Sequence, residues 1–285
     1  MKHIRLNAHA KINLGLWVGA KRPDRFHDIV TVIVPLKLCD VVDITLTRSG
    51  IEVICDTPGV PSGEKNIAFS AAQAFFAAAG LRAGCRIRIR KAIPAGAGLG
   101  GGSADAAAVL AGLNRLFAQP VSPRQLRALG AAVGSDVPAL LLGRACAARG
   151  RGERVRPITL PRLEVLLHFP GYPVSTARAY RALDRARPDL TDPGISPKIL
   201  SSLLRRGEFE KAGRLVHNSF ETVVFRRHQD LARVKRTLLA SGCFAAGLSG
   251  SGSTVYGLME NGRQDPMAAL KRQGLSCLRT CSIGG

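Results

Sequence analysis

The first third of the chain follows the period of two in apolar and polar positions that β-strands require. Strands are predicted over residues 10–18, 29–34, 41–46, 51–55 and 85–90, separated by turn signals. In the last of these, Arg86, Arg88 and Arg90 share one face, and we expect that face to be exposed to solvent. The first third of the chain is therefore predicted to form a β-sheet.

Helical spacing first appears in the alanine-rich residues 66–79 and dominates the second half of the chain. Ser103 and Ser122 are the expected N-caps of two helices, and Pro123 suits a first turn. Later strands are expected over residues 163–169, 244–248 and 254–258. The pattern predicts an α+β protein with helices over residues 66–79, 103–117, 123–132, 176–185, 197–206, 209–215 and 228–240.

The 285 residues suit one large domain or two modest ones. Residues 149–162 are rich in Arg, Gly and Pro, which is typical of a domain boundary. We therefore predict an N-terminal domain over residues 1–150 and a C-terminal domain over residues 160–285. Neither a repeat of 20–50 residues nor a low-complexity tract occurs in the sequence.

The composition is that of a globular protein, with 46% hydrophobic and 21% charged residues. The N-terminus has no long apolar segment of the secretory type, and no stretch approaches the length of a membrane span. We therefore expect a cytoplasmic protein. The seven cysteines are scattered and form no C-x-x-C pair, so we expect buried apolar side chains rather than disulfides or a zinc site.

The net charge of +21 is extreme. Such an excess attracts nucleic acid or an anionic membrane surface, and it also suits an enzyme with phosphorylated substrates. The basic residues are spread along the chain in short pairs such as Arg205-Arg206, and only 5% of residues are aromatic. We interpret most of the charge as solvated surface and expect no nucleic-acid or membrane partner. A nucleic-acid-binding protein remains the alternative from a different functional class.

A glycine-rich segment between the strand at 85–90 and the helix at 103–117 is the strongest chemical signal. Glycines allow positive φ and bring bare backbone N–H groups close to a ligand, while the following helix directs its positive end to the same place. Together these features predict a phosphate-binding loop; a linker without a ligand is the alternative. The expected nucleotide-binding residues are Pro94, Ala95, Gly96, Ala97, Gly98, Leu99, Gly100, Gly101, Gly102, Ser103 and Ala104.

Three common nucleotide motifs do not fit this loop. Gly96, Gly98 and Gly101 satisfy G-x-G-x-x-G, but residues 116–127 contain no acidic residue to hold a ribose. The G-K-[ST] of a Walker loop and the V-A-I-K and H-R-D of protein kinases are also absent. The segment instead resembles P-x-x-x-G-L-G-x-[SG]-[SA], the second motif of the GHMP kinases, which act on galactose, homoserine, mevalonate and phosphomevalonate.

Two further motifs extend this resemblance over essentially the whole chain. Residues 10–16 look like the N-terminal motif of the GHMP kinases, and residues 248–255 look like their third, glycine-rich motif. The resemblance implies a two-lobed α+β fold, with an N-terminal mixed sheet-and-helix lobe that carries the glycine loop and a C-terminal ferredoxin-like α/β lobe. It also implies ATP-dependent phosphorylation of an alcohol, with Mg²⁺ as cofactor.

Within that family, the sequence is most similar to the kinases whose substrate is a cytidine diphosphate ester of a methylerythritol, in non-mevalonate isoprenoid synthesis. Phe26 stands where Tyr is usual, and Ile33 where an aromatic residue often stacks on the base. A GHMP kinase for mevalonate, homoserine or a sugar is the alternative. As to assembly, we expect a monomer or a homodimer. Four segments carry the closer similarity, residues 10–16, 25–28, 134–138 and 174–183.

Two residues are implied to be catalytic, Asp136 as the base and Lys11 as its cationic partner. Asp136 lies in an otherwise uncharged apolar stretch, where a carboxylate without a task would be costly. A helix or turn cap is the alternative for Asp136, and a surface lysine on the polar face of a strand is the alternative for Lys11. The resemblance favours the catalytic roles.

Acceptor-binding residues follow mainly from the resemblance. Asn13 shares a strand face with Lys11, so it either binds substrate, orients Lys11 or points outward. His27 is expected to contact the cytosine, with a surface histidine as the alternative. Tyr180 is expected to stack on the base, with a core tyrosine as the alternative. No carboxylate cluster marks a metal site, so ATP and water are the expected Mg²⁺ ligands. The other acceptor-binding residues implied are Phe26, Gly250 and Ser251. For Gly250 and Ser251, a glycine-rich turn without a ligand is the alternative.

Overall fold

The computed structural model describes residues 2–186, 196–260, 262 and 265–283. The strands in these residues are β1 (His3–Lys21), β2 (His27–Thr47), β3 (Ile51–Cys55), β4 (Gly84–Arg90), β5 (Cys146–Gly150), β6 (Arg154–Pro157), β7 (Glu164–His168), β8 (His217–Asn218), β9 (Ala245–Leu248), β10 (Val255–Met259) and β11 (Leu278–Cys281). The α-helices are α1 (Ile67–Ala79), α2 (Gly101–Leu116), α3 (Pro123–Val133), α4 (Val137–Leu142), α5 (Thr176–Ala186), α6 (Pro197–Arg205), α7 (Phe209–Arg214), α8 (Glu221–Arg227), α9 (Gln229–Ala240) and α10 (Met267–Arg272).

The chain forms two compact units that are not continuous in sequence. The first contains residues 1–10, 38–95 and 100–143, and the second contains residues 11–37, 96–99 and 144–285. Strands β1 and β2 therefore contribute residues to both units. The division into two sequence-continuous domains stays a prediction.

In the first unit, β4 pairs antiparallel with the second half of β2 and parallel with β3. Its inward residues, among them Ile87 and Ile89, join a core with Phe75 of α1 and Leu113 of α2. The alternating arginines of β4 are exposed, as predicted. Arg86 is paired with Glu52, and Arg90 with Asp43.

Local capping explains where the helices of this unit begin. The Asn66 side chain accepts a hydrogen bond from the Ala68 N–H at 3.0 Å, and Ser122 forms a capping box with Gln125. The expected Ser103 cap of α2 was wrong. The left-handed turn comes earlier, at Gly100 with φ of 71°, so α2 begins at Gly101 and Ser103 already lies in its first turn.

The second unit contains a four-stranded antiparallel sheet in the order β11-β7-β10-β9. Helices connect β7 to β9 and β10 to β11, which gives the βαββαβ order of a ferredoxin-like fold. The core of this unit includes Leu166, Leu183, Phe220, Leu238 and Leu248. The other sheet has the order β3-β4-β2-β1-β8, with β5 paired to the first half of β2 and β6 paired to β5.

One prediction from local pattern was wrong. Residues 29–34 and 41–46 belong to one strand, β2, because its first half pairs with β5 and its second half with β4. Residues 149–162 include the turn of the β5–β6 hairpin, and the domain boundary expected there stays a prediction. Among the described residues, no helix has the length and apolar character needed to cross a membrane.

Candidate active site

The glycine loop is divided between the two units. Pro94, Ala95 and residues 100–104 belong to the first unit, and residues 96–99 belong to the second. In the first unit, a Cβ added at Gly101 would lie 3.2 Å from Lys91 Nζ, whereas one at Gly102 would meet only Ile67, at 3.5 Å. The first turn of α2 is therefore backed by Lys91 on one side and open at Gly102, where backbone N–H groups can reach a ligand.

An ionic cluster is buried behind this turn. Lys91 Nζ donates to Asp40 Oδ2 at 2.5 Å and to Asp105 Oδ2 at 2.7 Å. Burial lowers the pKa of Lys91, but the two carboxylates raise it more, so the ammonium is retained. Burial raises the pKa of Asp105 to about 7, because Lys91 offsets only part of the desolvation.

Asp136 lies in the first unit, at the N-cap position of α4. Among the described residues its carboxylate forms no capping hydrogen bond with that helix, which argues against the helix-cap alternative. A Cβ added at Gly134 would lie 3.7 Å from Ser103 Oγ. The segment that carries Asp136 is therefore adjacent to the first turn of α2.

In the second unit, Lys11 belongs to a chain of buried hydrogen bonds. Its ammonium donates to Asn13 Oδ1 at 2.8 Å, and Asn13 Nδ2 donates to Thr31 Oγ1 at 2.8 Å. Thr31 Oγ1 in turn donates to the Gly15 carbonyl at 2.6 Å. This chain fixes which way the Asn13 amide faces and directs its oxygen at Lys11. Lys11 is only 4% exposed, so it is not a surface lysine.

The third motif packs on the middle of the glycine loop within the second unit. Ser249 Oγ donates to the Gly98 carbonyl at 2.9 Å, and the Thr254 N–H donates to the Ala97 carbonyl at 3.1 Å. Gly98 has φ of 79°, and a Cβ there would lie 2.1 Å from the Ser249 carbonyl oxygen. Only glycine fits this position, so the two glycine motifs are shaped for each other.

Gly250 and Ser251 lie close to the Lys11 group. A Cβ at Gly250 would lie 3.3 Å from Lys11 Nζ. Asn218 Nδ2 donates to the Gly250 carbonyl at 2.7 Å, and Ser251 Oγ shares a hydrogen bond with Thr176 Oγ1 at 2.8 Å. The second unit thus brings together Lys11, Asn13 and the third motif.

His27, Tyr180 and Asp184 form a separate cluster in the second unit. His27 Nε2 donates to Asp184 Oδ1 at 2.6 Å, and the His27 ring stacks on Tyr180 with a centroid distance of 4.9 Å. Asp184 lies one helical turn after Tyr180 on α5, which is the sequence signal that could have revealed it. His27 is buried and therefore is not a surface histidine.

The two departures from the family pattern have different surroundings. Phe26 is 48% exposed, and the Arg151 guanidinium carbon lies 4.8 Å from its ring centroid. Ile33 is buried in the core. Phe26 therefore presents an aromatic face at the surface of the second unit, whereas Ile33 is a packing residue.

Two family models match the chain: GHMP kinases N terminal domain over residues 66–144, and GHMP kinases C terminal over residues 200–271. A relative from Pelotomaculum thermopropionicum is 39% identical over 267 residues, which cover 90% of each chain. A relative from Geobacter sulfurreducens is also 39% identical, over 265 residues and 91% of each chain. Both are named 4-diphosphocytidyl-2-C-methyl-D-erythritol kinase. The chain belongs to the GHMP kinases.

Solved structures agree with this assignment. A crystal structure named 4-(cytidine 5'-diphospho)-2C-methyl-D-erythritol kinase matches with a TM-score of 0.82 and 36% identity, covering 99% of this kinase and 100% of that chain. The L. major mevalonate kinase matches with a TM-score of 0.71 at 16% identity, which is a likeness of fold alone. The predicted two-lobed α+β GHMP fold is confirmed. Membership also makes this chain a phosphotransferase that uses ATP.

Proposed function

We propose that this GHMP kinase transfers the γ-phosphoryl group of ATP to 4-diphosphocytidyl-2-C-methyl-D-erythritol, giving the 2-phosphate, in the cytoplasm and as a monomer or homodimer. One observation carries the proposal: a relative with that kinase's name is 39% identical in sequence over 90% of both chains. The His27–Tyr180–Asp184 cluster, in which His27 is buried, supports a nucleobase as part of the acceptor.

In the proposed reaction, the glycine loop holds the ATP phosphates with the backbone N–H groups of the first turn of α2. Asp136 accepts the proton of the acceptor hydroxyl as that oxygen attacks the γ-phosphorus. Lys11, oriented by Asn13, stabilises the negative charge on the reacting oxygens. Positioning and charge stabilisation then supply most of the rate enhancement, as is general for phosphoryl transfer.

We propose Mg²⁺ as the cation that accompanies ATP. Among the described residues, no three His, Cys, Asp or Glu side chains converge on a metal site. We propose that the cation is held mainly by phosphate oxygens and water, which is how Mg²⁺ is usually bound in nucleotide sites. When bound, the ion neutralises charge on the phosphates.

Base selectivity follows from the hydrogen bond of His27. In the tautomer that donates Nε2–H to the carboxylate of Asp184, Nδ1 is a hydrogen-bond acceptor. The exocyclic amine of cytosine is a donor, whereas uracil carries a carbonyl acceptor at the same position. The proposed site therefore favours a cytidine ester over the corresponding uridine ester.

A panel of acceptors tests this assignment by ADP release. We expect turnover of the cytidyl ester, with kcat/KM for the uridyl ester lower by roughly 10²-fold or more, because a buried polar group would be left unpaired. Mevalonate and homoserine serve as matched non-nucleotide alcohols. Turnover of either one without turnover of the cytidyl ester would overturn the proposed acceptor and favour another GHMP activity.

The Gly102→Val variant tests the loop as the phosphate site. Gly102 is exposed and helical, and a Cβ there meets only Ile67 at an ordinary contact distance, so the fold should tolerate Val. Its methyl groups would occupy the approach to the N–H groups of α2. We expect the ATP dissociation constant measured by calorimetry to rise about tenfold or more, from the loss of about 1.4 kcal/mol of binding free energy.

Ala78→Val is the matched control, since it adds a β-branched side chain at an exposed position of α1 in the same unit. It lowers helix propensity slightly, whereas Gly102→Val does not, and it should leave ATP binding unchanged. Equal ATP affinity in the two variants would exclude this turn from the nucleotide site.

A further inference from the structure

The Asp40–Lys91–Asp105 cluster has no part in the reaction described above. The three side chains are almost completely buried, with exposed fractions of 0% for Asp40, 5% for Lys91 and 3% for Asp105. Burying three ionisable groups is costly, and replacing such a cluster by apolar side chains is often neutral or stabilising. Stability alone is therefore a weak explanation for its presence at this place.

The cluster joins the two ends of the glycine loop within the first unit. On the N-terminal side, Asp40 Oδ1 accepts from the N–H groups of Ala92 and Ile93, at 2.6 and 2.8 Å. These are the last two residues before Pro94. On the C-terminal side, Asp105 lies one turn into α2 and accepts from Lys91 at 2.7 Å.

Lys91 also lies directly behind the first residue of α2. A Cβ on Gly101 would lie 3.2 Å from its Nζ and 3.1 Å from Ile93 Cγ2. The first turn of α2 therefore rests on the Lys91 ammonium at Gly101, whereas a Cβ at the neighbouring Gly102 would meet only Ile67. A displacement of Lys91 would move the N–H groups of that turn.

The charges of the cluster are incompletely balanced. One ammonium stands between two carboxylates, and Asp105 Oδ1 has no hydrogen-bond partner among the described residues. The raised pKa of Asp105 agrees with this geometry, because protonation of that carboxyl makes the cluster neutral. With Asp105 neutral, no net negative charge lies behind the turn that would receive phosphates.

We propose that Lys91, held between Asp40 and Asp105, is a positioning residue that sets the two ends of the glycine loop for the nucleotide phosphates. This inference rests on the proposed assignment of the loop to ATP. Lys91 does not touch the nucleotide in this scheme; it acts through the backbone of residues 92–93 and of the first turn of α2.

Asp105→Ala removes the link from Lys91 to α2 and is the first test. We expect the dissociation constant of ATP to rise about tenfold to a hundredfold, which is the effect of losing one hydrogen bond to a charged group. The dissociation constant of adenosine, which lacks phosphates, should stay unchanged. At saturating ATP, kcat should stay near the value of the unaltered kinase, because the reacting groups are intact. Asp105→Asn, which still accepts from Lys91, should restore ATP affinity.

A second variant separates positioning from stability. Asp40→Asn combined with Lys91→Met and Asp105→Leu removes all three charges, and the amide oxygen introduced at position 40 can still accept from the backbone of residues 92 and 93. We expect this variant to fold with a thermal midpoint near that of the unaltered kinase, yet to bind ATP as weakly as Asp105→Ala. Val53→Ala, a core truncation in β3 of the same unit, is the control that lowers stability without touching the loop.

The outcomes are distinguishable from a failure of the proposed function. If Gly102→Val weakens ATP binding but neither cluster variant does, the positioning role is wrong and the loop assignment stands. If ATP affinity follows the thermal midpoint across all variants, including Val53→Ala, the cluster is merely structural. If Gly102→Val also binds ATP normally, the assignment of the loop itself fails.

Discussion

Asp136→Asn should lower kcat by about 10²–10⁴-fold, the usual contribution of a general base. The amide keeps the size and polarity of the carboxylate but cannot accept the proton of the acceptor hydroxyl. ATP affinity should persist, because the variant leaves the glycine loop unchanged. Steady-state ADP release together with calorimetry of ATP binding measures both quantities.

The same change at Glu210, Glu210→Gln, is the control, because that side chain is 86% exposed on α7. It should leave kcat unchanged. A contrary result for Asp136→Asn would be a lowered thermal midpoint with normal turnover by the folded fraction. Asp136 would then be a structural residue, and the catalytic assignment would be wrong even though the family membership stands.

Lys11→Ala should reduce kcat to a similar extent, since it removes the proposed counter-charge for the reacting oxygens. The decrease in kcat should be larger than for the same substitution at a lysine that is merely exposed on a strand. Lys37→Ala provides that comparison, because Lys37 is an exposed lysine on β2 in the same unit. It should turn over normally.

The double variant Lys11→Ala with Asp136→Asn decides whether the two residues act together. Residues that serve one chemical step show strongly non-additive losses, so the double variant should be little worse than either single variant. If the two fold-losses multiply instead, Lys11 and Asp136 contribute independently, and the proposed unit of base and cation is incorrect.

Much of the local structure could be read from neighbouring residues. Ser122 marks the start of α3 through hydrogen bonds that span only a few positions, and the structure confirms this predicted cap. The alternation of exposed and buried side chains in β4 likewise follows from the polar and apolar residues of that strand. The same local logic misplaced the start of α2, because Ser103 and Gly100 both satisfy a capping pattern and only the backbone at Gly100 makes the turn.

The roles of the site residues were predicted from the family resemblance and not from local sequence patterns. Motif order and spacing identified the GHMP family, and the resemblance, rather than periodicity, selected Lys11, Asp136, His27 and Tyr180. The structure brings Asn13 to Lys11 and Tyr180 to His27. The catalytic and base-stacking roles of these residues stay predictions, tested by the variants and the acceptor panel described above.

The sequence by itself determined the family, the glycine loop and the kind of reaction. Each of these is identified by short motifs, and the residues of each motif are close along the chain. Only the tertiary structure decided the partners that orient the motifs. Asp184 is 157 residues from His27, Ser249 is 151 residues from Gly98, and Asp40 is 51 residues from Lys91. Hydrophobic period and local propensity carry no information about which distant segments meet. That depends on strand pairing and core packing, and these contacts form only when the whole chain folds.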